Sequence, residues 1–219
     1  PIPRIAEICH RRGVLLHTDA VQSAGKVQIA VEQLDCDLLS ISGHKMYAPK
    51  GIGALYVRRG VSLEPILCGA GQEAGLRPGT ENVLGIVALG AAASIAHRSL
   101  DSASEKLVRL RDLLERSLEQ AIPSISFNGR GLPRLPNTSS VNFPHVVGAD
   151  LLARTPEICA STGSSSQAST DFLSATQSAL GLPPKLARGT IRLSLGWYTE
   201  QEEIERAAQS LVAAWEALQ

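Results

Sequence analysis

The chain has 219 residues, 44% of them hydrophobic and 4% aromatic, with 21 basic residues against 21 acidic. That length suits one large domain or two small ones, and aliphatic side chains must fill the core. The balanced charge removes any global electrostatic case for nucleic acid or a membrane surface as partner.

Pro1-Ile2-Pro3 precedes Ile5 to His10, an amphipathic helix that should close near Gly13, where glycine takes the left-handed cap. A βαβ layout follows: a strand over Val14–His17, a short helix from Ala20 and a strand over Leu38–Ile41. Short apolar runs of this kind suit strands buried on both faces. A hairpin is expected from Tyr47 to Arg58, its strand Gly51–Val57 entered through glycines.

In open α/β sheets ligands sit off the carboxyl ends of strands. Asp19, Gln22, Ser42, His44 and Lys45 can therefore line one crevice. A lysine among apolar walls can lose its proton and add to a carbonyl as a Schiff base. A carboxylate on the neighbouring strand can pair with a pyridinium nitrogen and keep the ring an electron sink. Serine and histidine just before the lysine can donate to a phosphate. Together these groups make a pyridoxal phosphate (PLP) site. For Asp19 or Lys45 taken alone, a solvated strand end is the competing reading.

Leu67 to Asn82 is a glycine-rich loop feeding a helix start, a ready anion site that many loops mimic merely by turning. From Asn82 to about Ala121 the pattern is helical. An apolar run (Val83 to Ala96) precedes a charged one in which Leu107, Leu110, Leu114 and Leu118 share a face. The composition shift near Arg98–Ser104 marks a domain boundary. Beyond it, Ile125–Gly129 and Ser139–Phe143 alternate as half-buried strands do. A short helix begins near Ala149 and stops before Pro156, and Cys159-Ala160-Ser161 should end a strand. Ser161 to Thr170 is Ser/Gly-rich and reads by composition as a loop. Ala187–Gly196 holds a further strand, whose Arg192 could grip a carboxylate through two parallel hydrogen bonds. Thr199 should cap the last helix with Glu202 as box partner, and Ile204, Ala208, Leu211 and Trp215 should pack one face.

No run approaches the roughly 18 apolar residues of a membrane span, and no signal-peptide pattern opens the sequence. Cys9, Cys36, Cys68 and Cys159 are scattered without a CxxC or His–Cys cluster, so neither a metal site nor a disulfide framework is expected. A reducing cytoplasm is the expected compartment.

The wording HTDAVQSAGK followed by SGHKMYAPKG, with the same Asp-to-Lys interval, resembles the class V aminotransferase family. Within it, the cysteine desulfurases and selenocysteine lyases are most similar. Ala48 departs from the usual glycine. GAGQEAGLRPGTEN resembles a loop that crosses the dimer interface in that family, with Ala74 where arginine is usual. IRLSLG resembles the motif whose arginine holds the substrate carboxylate. STGSSSQAS resembles a loop whose cysteine accepts sulfur, and here Ser166 stands at that position.

The resemblance implies an α/β protein of the PLP-dependent transferase fold type I. Residues 1–98 would be the later half of the large domain with its mainly parallel sheet, and residues 99–219 a smaller α+β domain. The earlier half of the large domain would lie elsewhere, so a fragment or a split enzyme completed by a separate N-terminal-half chain is expected. Lys45 would hold PLP and shuttle protons, Asp19 would meet the ring nitrogen and Gln22 the ring hydroxyl. Ser42, His44 and Thr80 would hold the phosphate, Thr80 and Arg77 acting across a homodimer interface, and Arg192 would bind L-cysteine or selenocysteine. Residue 166 would take the sulfur and pass it to an acceptor protein, as in iron–sulfur cluster supply.

Serine changes that last step. A thiol of pKa about 8.5 supplies a useful thiolate fraction and a soft nucleophile, whereas a hydroxyl does neither and forms no persulfide. Cys159 lies earlier, on the expected strand, and is no stand-in. A deliberate Cys→Ser replacement and a natural inactive paralogue both fit the sequence. A selenocysteine lyase, another PLP lyase or aminotransferase, and a non-catalytic scaffold subunit stand as alternatives.

Overall fold

Pro3, whose missing N–H costs nothing in a first helical turn, opens α1 (Ile2–His10). Gly13 at φ +65° turns the chain back, and the Val14 N–H reaches the Cys9 carbonyl at 3.0 Å. This hairpin-like start belongs to the first of two units, Pro1–Asp101 and Ser102–Gln219. The structure is a computed structural model that describes residues 1–162 and 175–219.

The first unit is built on a three-stranded sheet. Strand β1 (His17–Asp19) runs parallel to β2 (Leu38–Ser42), which pairs antiparallel with β3 (Gly53–Val57). Two sequence expectations shift here. The first strand starts at His17 rather than Val14, and Val14 and Leu15 are exposed. The helix expected from Ala20 is a run of turns: Ser23 and Ala24 N–H both return to the Ala20 carbonyl, at 3.0 and 2.8 Å. Gly25 at φ +73° stops propagation, and a Cβ on it would lie 3.0 Å from Met46 Cγ. The crossover helix lies further on, as the single turn α2 (Val31–Leu34).

The strands are also not buried on both faces. Alternation sends Leu39, Ile41 and Tyr56 towards Ile2 of α1 and Val31 and Leu34 of α2, where Ala20, Cys36 and Leu39 are the buried centre. The other face, with His17, Asp19, Ser40, Ser42 and Leu55, stays open. Downstream, α3 (Val83–Arg98) is capped by Asn82, whose Oδ1 accepts the Gly85 N–H at 3.0 Å. Its apolar residues run almost all round the helix, and Leu84 is 86% exposed.

A charge cluster replaces the missing apolar bulk. His10 faces Asp35 at 3.2 Å and Asp37 at 3.1 Å, and Arg58 contacts Asp35 at 2.6 Å and Asp37 at 3.0 Å. The Leu16 N–H donates to Asp37 at 2.8 Å. These bonds fasten α1, the end of α2, and the strands together. The Leu16 N–H, helped by His10 and Arg58, holds the Asp37 carboxyl below its ordinary value of 3.8 against the opposing effect of burial.

The second unit has the deeper core. Helix α4 (Leu100–Ala121) buries the expected stripe Leu107, Leu110, Leu114 and Leu118. Strands β4 (Ser126–Asn128), β5 (Thr138–Asn142) and β6 (Thr190–Ser194) form an antiparallel sheet in that order. Short helices α5 (Gly148–Ala153), α6 (Ala175–Ala179) and α7 (Pro184–Ala187) lie between β5 and β6 in the chain, and α8 (Gln201–Glu216) follows. Val141, Ile191 and Leu193 of the sheet join Phe143, Leu151, Ile204 and Leu211 in one cluster. Gly189 must be glycine: a Cβ there would lie 1.9 Å from the Phe143 carbonyl oxygen.

The cap of α8 differs from expectation by one residue. Glu200 accepts the backbone N–H of Glu203 while Glu203 accepts the Glu200 N–H, closing the box. Thr199 instead accepts the Gly196 N–H at 3.0 Å, and Lys106 holds Glu200 at 2.8 Å. The hydroxyl serves the preceding turn, leaving the cap to the carboxylate.

Two outcomes follow for stability. Glu115 is 2% exposed inside the second unit, gripped by Arg134 at 2.8 and 2.9 Å and by the Ser139 hydroxyl at 2.6 Å. Arg134→Met leaves that carboxylate to the Ser139 hydroxyl and to Arg130 at 3.7 Å and should cost about 3 kcal/mol, while Glu115→Leu with Arg134→Met should recover most of it in urea unfolding. Asp37→Asn should lower the urea midpoint at neutral pH. Because the native Asp37 carboxyl is depressed, its contribution is complete above about pH 4 and fades as pH falls through the lowered native value. The gap between the two proteins should close over that acid range.

Candidate active site

Asp19 ends β1, and Ser42 ends β2 on the adjacent parallel strand. The register Asp19↔Ser40 and the two-residue alternation of strands put Asp19, Ser40 and Ser42 on the same open face. Both sit at carboxyl ends, where a crevice forms in parallel sheets. One Asp19 oxygen, Oδ1, accepts the Val21 N–H at 2.8 Å, which orients the carboxylate, and Oδ2 makes no hydrogen bond among the described residues. Gln22 follows in the turn, exposed.

Directly after β2, Gly43–Met46 forms a 3₁₀ turn that lifts His44 and Lys45 into solvent. Tyr47 at φ +67° closes it, and the Ala48 N–H returns to the Gly43 carbonyl at 3.1 Å. The Ser42 hydroxyl lies 2.9 Å from His44 Nδ1, so the imidazole Nε2 and one hydroxyl lone pair or proton remain for a ligand. The chain thus brings Asp19, Gln22, Ser42, His44 and Lys45 to one end of one sheet.

Two residues of this region escaped the sequence reading. His17 Nε2 lies 2.8 Å from Ser40 Oγ on the same open face. Only the i, i+2 spacing of His17 with Asp19 and of Ser40 with Ser42 carried that signal. Lys26 reaches the Gln22 carbonyl at 3.1 Å and the Lys45 carbonyl at 3.5 Å. Burial and then the positive charge of Lys45 hold the Lys26 ammonium below its ordinary range.

Thr80 is exposed, two residues ahead of the Asn82 cap, and no hydrogen bond joins it to Ser42 or His44 among the described residues. Its loop is shaped by Gln72, which accepts the Gly79 N–H at 3.1 Å, and by Arg77, which donates to the Pro78 carbonyl. Arg192 belongs to the second unit. It stands opposite Ser140 on β6, half-buried, and its guanidinium has no hydrogen bond or ion pair among the described residues. Its backbone N–H donates to the Ser161 carbonyl at 2.7 Å and its carbonyl accepts the Ser161 N–H at 3.3 Å. Ser161, five residues before position 166, is therefore paired with the arginine's own strand. Ser166 itself lies outside the described residues.

The donor set suits PLP. A primary amine, a carboxylate, an amide, a hydroxyl and an imidazole lie at one end of a parallel strand pair, the types of group that suit the aldehyde, ring nitrogen, ring hydroxyl and phosphate of that cofactor.

The aminotransferase class-V family model matches residues 1–207. The cysteine desulfurase of Trichormus azollae is 44% identical over 211 residues, covering 95% of this chain and 53% of that protein. A NifS-like protein from Rickettsia africae superposes with a TM-score of 0.88 at 28% identity, over 98% of this chain and 57% of that one. SspA in complex with cysteine matches at a TM-score of 0.68 and 35% identity, over 91% of this chain and 55% of that one. The chain spans about half the length of the curated relatives it matches. Its architecture is the α/β fold of PLP-dependent type I transferases. With a family-model match over residues 1–207, the chain belongs to the class V aminotransferase family, whose members depend on pyridoxal phosphate.

Proposed function

We propose that this chain carries the cofactor lysine and the substrate arginine of a cysteine desulfurase, an enzyme that takes sulfur from L-cysteine and leaves L-alanine. In this reading residues 1–98 are the later part of the large domain and residues 99–219 the small domain. The observation that carries it is the shared open face of Asp19 and Ser42 with Lys45 on the turn that follows. The 44% identity to a cysteine desulfurase and the likeness to SspA in complex with cysteine support the substrate.

PLP, when bound, supplies an electron sink that lets bonds at the substrate's α- and β-carbons break. Lys45 Nζ holds the cofactor and moves the proton at the substrate α-carbon. Asp19 Oδ2 accepts the ring N–H, keeping that nitrogen charged, and the Gln22 amide meets the ring hydroxyl. Ser42 and His44 bind phosphate from one protomer, and Thr80 reaches the phosphate of a second. Arg192 grips the substrate carboxylate. At position 166 the hydroxyl cannot receive sulfur as a persulfide, so delivery to an acceptor protein, including one that builds iron–sulfur clusters, is impaired. A reducing cytoplasm is the compartment we propose, in keeping with the four free thiols.

The apolar surface of α3 supports a homodimer, with a companion chain or segment completing the large domain. Leu84 is 86% exposed and Ile66, in the preceding loop, 97%. Leu84→Glu should shift the chain to a lower sedimentation coefficient at concentrations where the unsubstituted protein is associated; an unchanged coefficient refutes this interface.

Incubation with PLP followed by borohydride should leave a phosphopyridoxyl group on the Lys45 peptide, and Lys45→Ala should abolish it. With a thiol reductant present to return persulfide sulfur as sulfide, Ser166→Cys should restore sulfide release from L-cysteine only when the remaining part of the large domain is supplied. Release by the 219-residue chain alone would show the assignment of parts wrong. No adduct on Lys45 would point to the scaffold reading.

A further inference from the structure

Lys26 is the half-buried cation of the first unit that no acidic group accompanies: no ion pair reaches it among the described residues. Its ammonium is spent on two main-chain carbonyls, Gln22 at 3.1 Å and Lys45 at a longer 3.5 Å. The first belongs to the turn after β1 and the second to the 3₁₀ turn after β2. Both turns carry groups assigned above to the cofactor. A Cβ on the residue before it, Gly25, would lie 3.0 Å from Cγ of Met46, the neighbour of Lys45, closer than ordinary contact. Residues 25 and 26 thus seat together against residues 45 and 46.

We propose that Lys26 is a positioning residue for Lys45, tying its turn to the turn after β1 and facing it with a second positive charge. The inference rests on the reading of Lys45 as the cofactor lysine. The tether limits where the Lys45 backbone can go, so its side chain starts from one place. Like charges facing each other disfavour the doubly charged pair, as the lowered Lys26 ammonium shows, and only an uncharged amine attacks an aldehyde. A carboxylate partner on Lys26 would cancel that effect. Its lack of one is what gives the arrangement a use.

Competitive acylation tests this without any cofactor. The 219-residue chain is treated with a trace of acetic anhydride at about pH 8, and the labelling of Lys45 is read against Lys50 by peptide mass spectrometry. Lys26→Met should lower the Lys45-to-Lys50 ratio about threefold, and Lys26→Arg, which keeps charge and donors, should restore it. Reciprocally, Lys45→Gln removes the charge that holds the Lys26 ammonium down and should lower labelling of Lys26 about threefold, a measurement that stands even if Lys26→Met fails to fold. Ratios that stay the same in Lys26→Met, or in Lys45→Gln where the former is unfolded, overturn the inference. Borohydride trapping of PLP runs in parallel. Moving ratios with no adduct on Lys45 would sink the cofactor reading and leave the coupling; an adduct with unmoved ratios would do the reverse.

Discussion

The parallel pairing of β1 with β2 is the constraint on which the candidate site depends. The ladder begins before the strands proper, where the Asp37 and Leu38 N–H groups reach the Leu16 carbonyl at 2.9 and 3.0 Å, and it continues past them, where the Ala20 N–H reaches Ser40 at 2.9 Å. A slip by one residue would turn Asp19 to the covered face while Ser42 stayed on the open one, and the acid and the lysine turn would no longer serve one ligand. Register here is a functional quantity as much as a structural one.

The two units secure themselves by different means. In the second, α4 and α8 close over an apolar sheet face, and one buried carboxylate is met by an arginine fork and a hydroxyl. In the first, few side chains are fully buried, and the strands are held by the cluster of His10, Asp35, Asp37 and Arg58. Charge pairs are directional where apolar contact is not, so this cluster sets the register of β2 while contributing little bulk. The open sheet face and the exposed side of α3 are what remain for a partner and for the cofactor.

Much of the fold was legible because period and punctuation agreed. The leucine stripe of α4, the alternation in β4 and β5, and the glycine entry to β3 each appeared at or near the expected positions. The failures were local. Val14 and Leu15 read as strand because they are apolar, yet they lie before the first ladder bond and stay exposed. Ala20 read as a helix start, but Gly25 takes a left-handed φ to approach Met46, and a helix cannot run through it. Thr199 read as a cap because threonine often is one, but its hydroxyl was already engaged by Gly196.

At the site, residue types that advertise their chemistry could be picked out of the one-dimensional string: a lysine after Ser-Gly-His, an aspartate after an apolar run, an arginine within IRLSLG. Such groups are recognisable because a given reaction needs them at a given spacing along the strand ends. Lys26 could not be picked out, since a lysine bonded to carbonyls looks in the string like any surface lysine. Its partners lie in turns that meet only once the sheet has formed, and the bonds depend on where two backbones pass each other. Chemistry that resides in a side chain is written in the chain's letters; chemistry that resides in the distance between two turns exists only after folding.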